Sequence, residues 1–126
     1  MKFDRYVLFP WFEEHGERHI HPDDLEYVRS AHPYGRVFGY AGRDGKYSVL
    51  QFGDRTIRVL PKLLQNVPSS RFDFFDVGED VVLVKDEQPA TVLSVMWHFE
   101  KNEPIYQLRV NGKKKSKRYW QADLTR

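Results

Sequence analysis

The chain has 126 residues, 40% hydrophobic and 15% aromatic against 30% charged, with a net charge of +2. That is enough large apolar area for a folded core and too little net charge to name a partner from bulk electrostatics. The absence of cysteine excludes disulfides, thiolate catalysis and cysteine-ligated zinc.

No stretch approaches the roughly 18 apolar residues of a membrane span, and Asp4 and Arg5 stand where a secretory signal would build its apolar region. The expectation is a cytoplasmic protein without membrane association. Units of about 60 residues are marginal alone, so if the chain forms two units the halves are expected to pack together.

In chain order, 3–9 is an aromatic and aliphatic run that stops at Pro10 and suits a first strand. Pro22 then stands where a helix would place its first residue, Asp23 and Asp24 complement the positive end of its dipole, and Arg29 falls in the last turn. Leu25, Val28 and Ala31 recur on one face, and Pro33 disfavours helical geometry at His32. A short helix over 22–31 follows. From Arg36 the period changes to that of strands: 36–41, a Gly42-Arg43-Asp44-Gly45 turn, 46–52, a Gly53-Asp54 turn, then 55–60. The segment 61–67 suits one helical turn, and Pro68-Ser69-Ser70 is the best linker in the chain.

After the linker come a Val-rich strand over 80–85, a long strand over 90–99, a turn at Lys101-Asn102-Glu103-Pro104 and a strand over 105–110. Asn111-Gly112 then makes the strongest hairpin signal present, because both central residues of a type I′ turn need φ > 0. Tyr47, Val49 and Gly53 lie 59 positions before Tyr106, Leu108 and Gly112, and Leu64 lies 60 before Leu124. This echo suggests an internal duplication, with units over 1–67 and 71–126.

The second half resembles SH3-like barrels of the Tudor and KOW type in Phe75-Asp76-Val77-Gly78-Glu79-Asp80-Val81, the strand that begins Ala90-Thr91-Val92, the run Tyr106-Gln107-Leu108-Arg109-Val110 and the terminal Asp123-Leu124. The resemblance covers about 50 residues and implies architecture rather than activity. The predicted fold class is mainly β: two small SH3-like barrels packed together, the first carrying the inserted helix. The segments Pro10-Trp11-Phe12, His21-Pro22-Asp23-Asp24-Leu25 and Asn111-Gly112-Lys113 also resemble a small bacterial protein family of no known activity.

The hairpin supplies the first candidate site. Lys113, Lys114, Lys115, Lys117 and Arg118 offer cations for phosphates, and Tyr106, Tyr119 and Trp120 offer rings for bases. Without these five cations the chain would be net negative, so basic character is confined to this lip. Charges at a turn also serve to block edge-to-edge pairing of sheets. Strand alternation sends Lys117 and Tyr119 one way and Arg118 and Trp120 the other. Trp97, Phe99, Tyr106, Tyr119 and Trp120 could form an aromatic cage for a methylated cation, or fill a core.

A second cluster, His15, His19 and His21 with Asp23 and Asp24, offers imidazole and carboxylate ligands for a divalent metal, in a spacing that matches no zinc motif. Gly39, Gly42, Gly45 and Lys46 fail as a phosphate loop, since Tyr40 stands where its first glycine belongs and Tyr47 follows the lysine. No nucleophile elbow is present, and the acidic pairs are adjacent in sequence with nothing to hold them across a substrate.

The expected function is therefore a non-enzymatic binding module, without cofactor, that engages a protein or nucleic acid through its loops and basic hairpin. The alternatives are a metal-dependent hydrolase centred on His15, His19 and His21, and an immunity-type or inhibitor protein.

Overall fold

The chain is mainly β. The computed structural model describes residues 3–67 and 73–126, which fall into two compact units, each with one antiparallel sheet. The predicted linker Pro68-Ser69-Ser70 lies outside the described residues. No described helix is long and apolar enough to cross a membrane.

The first unit contains β1 (Tyr6–Leu8), α1 (Leu25–Ala31), β2 (Val37–Asp44), β3 (Tyr47–Phe52), β4 (Arg55–Val59) and β5 (Gln65–Asn66), with strand order β4-β3-β2-β1-β5. Three strands thus form a meander, and the last short strand returns to pair with the first. Phe9, Trp11, Val28, Phe38, Leu50 and Val59 are among the residues of its core. The predicted helix is present, but its first turn, Pro22–Asp24, is tightened to 3-10 geometry, with the Asp24 N–H donating to the His21 carbonyl. Val28 is the buried residue of α1, and the left-handed His32 (φ 50°) ends it before Pro33.

The segment before the helix covers the outer edge of β4. Ile20 forms a bridge with Val59, the Leu60 N–H donates to the His19 carbonyl at 2.8 Å, and the His21 N–H donates to the Arg58 carbonyl at 2.9 Å. An otherwise open row of backbone groups is thereby satisfied. The Asp24 carboxylate fastens the helix to the same strand, accepting from both the N–H and the Nε of Arg58 at 2.9 Å.

Two predicted turns are corrected: Glu103 and Pro104, expected in a turn, begin the strand Glu103–Val110, and the other lies at Gly42. Gly42 does not begin a four-residue turn; β2 runs on to Asp44, and Gly45-Lys46 closes the hairpin between the paired Asp44 and Tyr47. The positive φ of Gly42 (115°) instead accompanies a bulge, where the register shifts between Tyr40 and Gly42.

The second unit contains β6 (Asp80–Leu83), β7 (Pro89–His98), β8 (Glu103–Val110), β9 (Lys113–Lys114), β10 (Tyr119–Trp120) and β11 (Leu124–Thr125). Its order is β10-β8-β7-β6-β11, with β9 also on β8, so its last strand again pairs with its first. In both units a 3-10 turn precedes that returning strand, Pro61–Leu63 in one and Gln121–Asp123 in the other. Both second strands are bulged against the third, in β7 between Val92 and Ser94.

The strand faces revise the sequence echo. A step of 59 pairs the half-buried Tyr47 and Val49 with the fully buried Tyr106 and Leu108. A step of 58 pairs buried Ser48 and Leu50 with them, and puts Phe52 and Val110, the last residues before each turn, in register. An odd step exchanges the two faces of a strand. Leu64 and Leu124, 60 apart, each follow the 3-10 turn.

Leu108 is fully buried, so Leu108→Ala should destabilise the second unit by about 2–5 kcal/mol. Urea denaturation followed by the fluorescence of buried Trp97 measures the shift. Gly112 has φ 77°, so Gly112→Ala should cost about 1 kcal/mol through strain at the turn alone.

Candidate nucleic-acid interface

Alternation along β8 sets the geometry of the hairpin. Pro104, Tyr106, Leu108 and Val110 are buried, while Glu103, Ile105, Gln107 and Arg109 lie on the opposite face. Cross-strand partners share a face, so Lys114, opposite Arg109, and Trp120, opposite Ile105, belong to the outward side. Lys113, opposite Val110, starts from the inward row although its own side chain is exposed.

Beyond β9 the chain bends, with the Lys115 N–H donating to the Leu108 carbonyl at 2.9 Å. Gln107, Lys114, Lys115, Ser116 and Arg118 then surround one shallow hollow of about 360 Å³. Four of the five line it with exposed side chains, and none of Arg109, Lys114, Lys115 and Arg118 forms an ion pair among the described residues. Lys117 departs to the other face, its Nζ 5.2 Å from the Tyr119 ring centroid.

The aromatic candidates divide. Trp97, Tyr106 and Tyr119 are buried, which corrects the expectation that Trp97 and Tyr106 contact a partner and removes three rings from any open cage. A small unit needs these large side chains to fill its interior. The Tyr106 hydroxyl accepts from the Phe75 N–H and donates to Gln121 Oε1, and Gln121 Nε2 reaches the Asp73 carbonyl. Tyr106 is thus a satisfied core tyrosine. Trp120 is only half-buried and packs against His98 with ring centroids 5.3 Å apart; Phe99 is 43% exposed.

Sequence reasoning missed Arg109 and His98. The register of β8 could have found Arg109, since it alternates with residues of the buried row. His98 needed the bulge in β7, because the extra residue reverses which positions of that strand face outward.

The histidine cluster does not assemble. His15 Nδ1 accepts from the Phe12 N–H at 2.9 Å and His21 Nδ1 accepts from the Asp23 N–H at 3.1 Å, each spent on a local turn. No group of three His, Asp or Glu side chains among the described residues is placed to hold a metal. His15 and His19 stand edge to face at 6.4 Å, and the buried His19 has no hydrogen-bond partner at Nδ1. The proposed ligands are therefore structural groups of the segment that covers β4.

A model for one protein family matches residues 1–125, and the chain belongs to that family, a family of unknown function designated DUF6960. No curated protein and no solved structure matches the chain.

Burial, together with the positive charges of Arg18 and Lys62, holds the His19 imidazole below its ordinary pKa of 6.5. The unfolded chain takes up this proton near pH 6.5 while the folded unit resists it. Stability should therefore be constant above that pH and fall as the pH drops below it. Denaturation midpoints at about pH 7.5 and about pH 5.5 test this, and His19→Gln should reduce the difference between them even though it lowers both.

Proposed function

We propose that the chain is a binding module of two SH3-like units, related by internal duplication, whose C-terminal unit holds single-stranded nucleic acid on the outward face of β8, β9 and β10. The architectural part is supported by the shared strand order, the returning last strand, the 3-10 turn before it and the bulged second strand of each unit. The 58-residue step that matches buried positions across the third strands supports a common origin better than the 59-residue echo does.

One observation carries the nucleic-acid reading: Lys114, Lys115 and Arg118 converge on one open hollow, with no carboxylate bound to any of them among the described residues. Ammonium and guanidinium groups left in this state neutralise phosphates with release of counterions. Gln107 and Ser116 add hydrogen-bonding groups for phosphate or sugar oxygens. The half-buried Trp120 offers a ring on the same side, where base stacking tolerates any sequence. A face only a few residues wide suits a single strand.

Fluorescence anisotropy with a labelled oligothymidylate, measured over a series of salt concentrations, tests the proposal. Affinity should fall linearly on a double-logarithmic plot, and the combined Lys114→Gln, Lys115→Gln and Arg118→Gln variant should flatten the slope by about 2, at roughly 0.7 per lost contact on a single strand. An unchanged slope overturns the reading. Recovery of a protein from nuclease-treated lysate by the wild type and not by the variant would assign the face to a protein partner instead.

A further inference from the structure

On the other side of the hairpin lies a recess of about 270 Å³, formed by the loop after β6, the Lys117–Tyr119 segment and the 3-10 turn before β11. Its walls combine an apolar part, Val84 and the Tyr119 ring, with the charged groups Lys85, Lys117, Asp86 and Asp123. Val84 is 56% exposed, an apolar side chain left open to solvent where alternation turns it away from the buried Leu83. The volume lies just under the roughly 300–1,000 Å³ of pockets for drug-sized ligands. It suits a single ring system.

The charged groups are not equivalent. Both Asp86 oxygens are engaged by Gln88, through its N–H and its Nε2. Asp123 is held in place by one bond, Oδ2 accepting from the Trp120 N–H at 2.8 Å, and Oδ1 has no partner among the described residues. A carboxylate has about four lone-pair sites, so Asp123, with one bond against two on Asp86, retains the greater acceptor capacity. Neither Lys85 nor Lys117 forms an ion pair among the described residues, and the contact with Tyr119 keeps the Lys117 ammonium at the wall of the recess. The site thus pairs an oriented acceptor with donors that have no ion-pair partner among the described residues.

We propose that this recess receives one guanine base of a single strand bound on the hairpin, an inference that rests on the nucleic-acid reading above. Lys117 immediately precedes Arg118 of the phosphate-binding face but points to the other side, so a strand that crosses the hairpin edge can turn one nucleotide inward. Guanine presents two adjacent N–H donors, at N1 and N2, beside the carbonyl O6. The Asp123 carboxylate accepts from the donor pair, and Lys85 or Lys117 donates to O6. Thymine and uracil offer one N–H between two carbonyls, and adenine offers no N–H at N1. These bases leave the carboxylate without its second bond, a loss that weakens binding.

Anisotropy with two labelled strands at one fixed salt concentration tests the inference: an oligothymidylate, and the same strand with one central guanine. The guanine strand should bind about 10-fold more tightly, as expected for one bidentate base contact. Asp123→Asn should bring it down to the affinity of the thymine strand, and Lys85→Gln, at an exposed position that no fold contact depends on, should reduce the preference several-fold. Equal affinities of the two strands for the wild type overturn the guanine site and leave the hairpin reading standing. No measurable binding of either strand overturns both. A guanine preference that survives in both variants places base recognition elsewhere and overturns the recess.

Discussion

The alternation of side chains along Glu103–Val110 decides which residues of the C-terminal hairpin can act together. Pro104, Tyr106, Leu108 and Val110 fill the unit, and this fixes Ile105, Gln107 and Arg109 outward. Pairing then carries the same choice to Lys114 and Trp120. A slip of one residue would reverse every one of these assignments. Two features hold the register: Asn111 and Gly112, both at positive φ in a two-residue turn, and the Tyr106 hydroxyl, tied to Phe75 and Gln121. Three of the five hairpin cations, Lys114, Lys115 and Arg118, are thereby gathered around one hollow, while Lys117 lies on the far side.

Much of the fold was legible because its signals are local. Pro22, the acidic pair after it and Pro33 bracket the helix, and Gly53-Asp54 and Asn111-Gly112 close the hairpins where they should. Bulges were not legible. Gly42 can mark a bulge but is equally a turn signal, and nothing in Val92-Leu93-Ser94 distinguishes an extra residue from a regular strand position, since the cause is the pairing with a distant partner. Yet each bulge changes which positions face the interior, as at Val92 and Val95, both buried although three apart. The 59-residue echo failed for a related reason: matching letters carry no parity. The recess was invisible because Lys85 and Asp123 meet only when β11 returns to β6.

The same limited space explains the fate of the other candidates. Trp97 and Tyr106 have the composition of a binding surface, but a unit of this size has few large side chains with which to exclude water, and burial takes them first. The histidines met a different demand. Their segment must satisfy the edge of β4 and enter a helix within a few residues, and ring nitrogens of His15 and His21 serve as acceptors for backbone N–H groups in that path. A nitrogen accepting such a bond has no lone pair left for a metal.

The hairpin cations contrast with six arginines elsewhere in the chain. Arg29 is held by Glu13 and Glu17 at 2.7 and 2.6 Å, Arg58 by Asp24, and Arg126 by Asp73 and Glu79 at 2.6 and 2.7 Å. Arg5, Arg36 and Arg55 stand over the rings of Tyr40, Phe52 and Tyr27. Each of these arginines has an internal counterpart that orients it and lowers its attraction for a ligand. Lys114, Lys115 and Arg118 have none among the described residues, and charges of one sign gathered without counterparts repel one another. The fold gains no ion pair from this arrangement, whereas Arg29, Arg58 and Arg126 each fasten one segment of the chain to another.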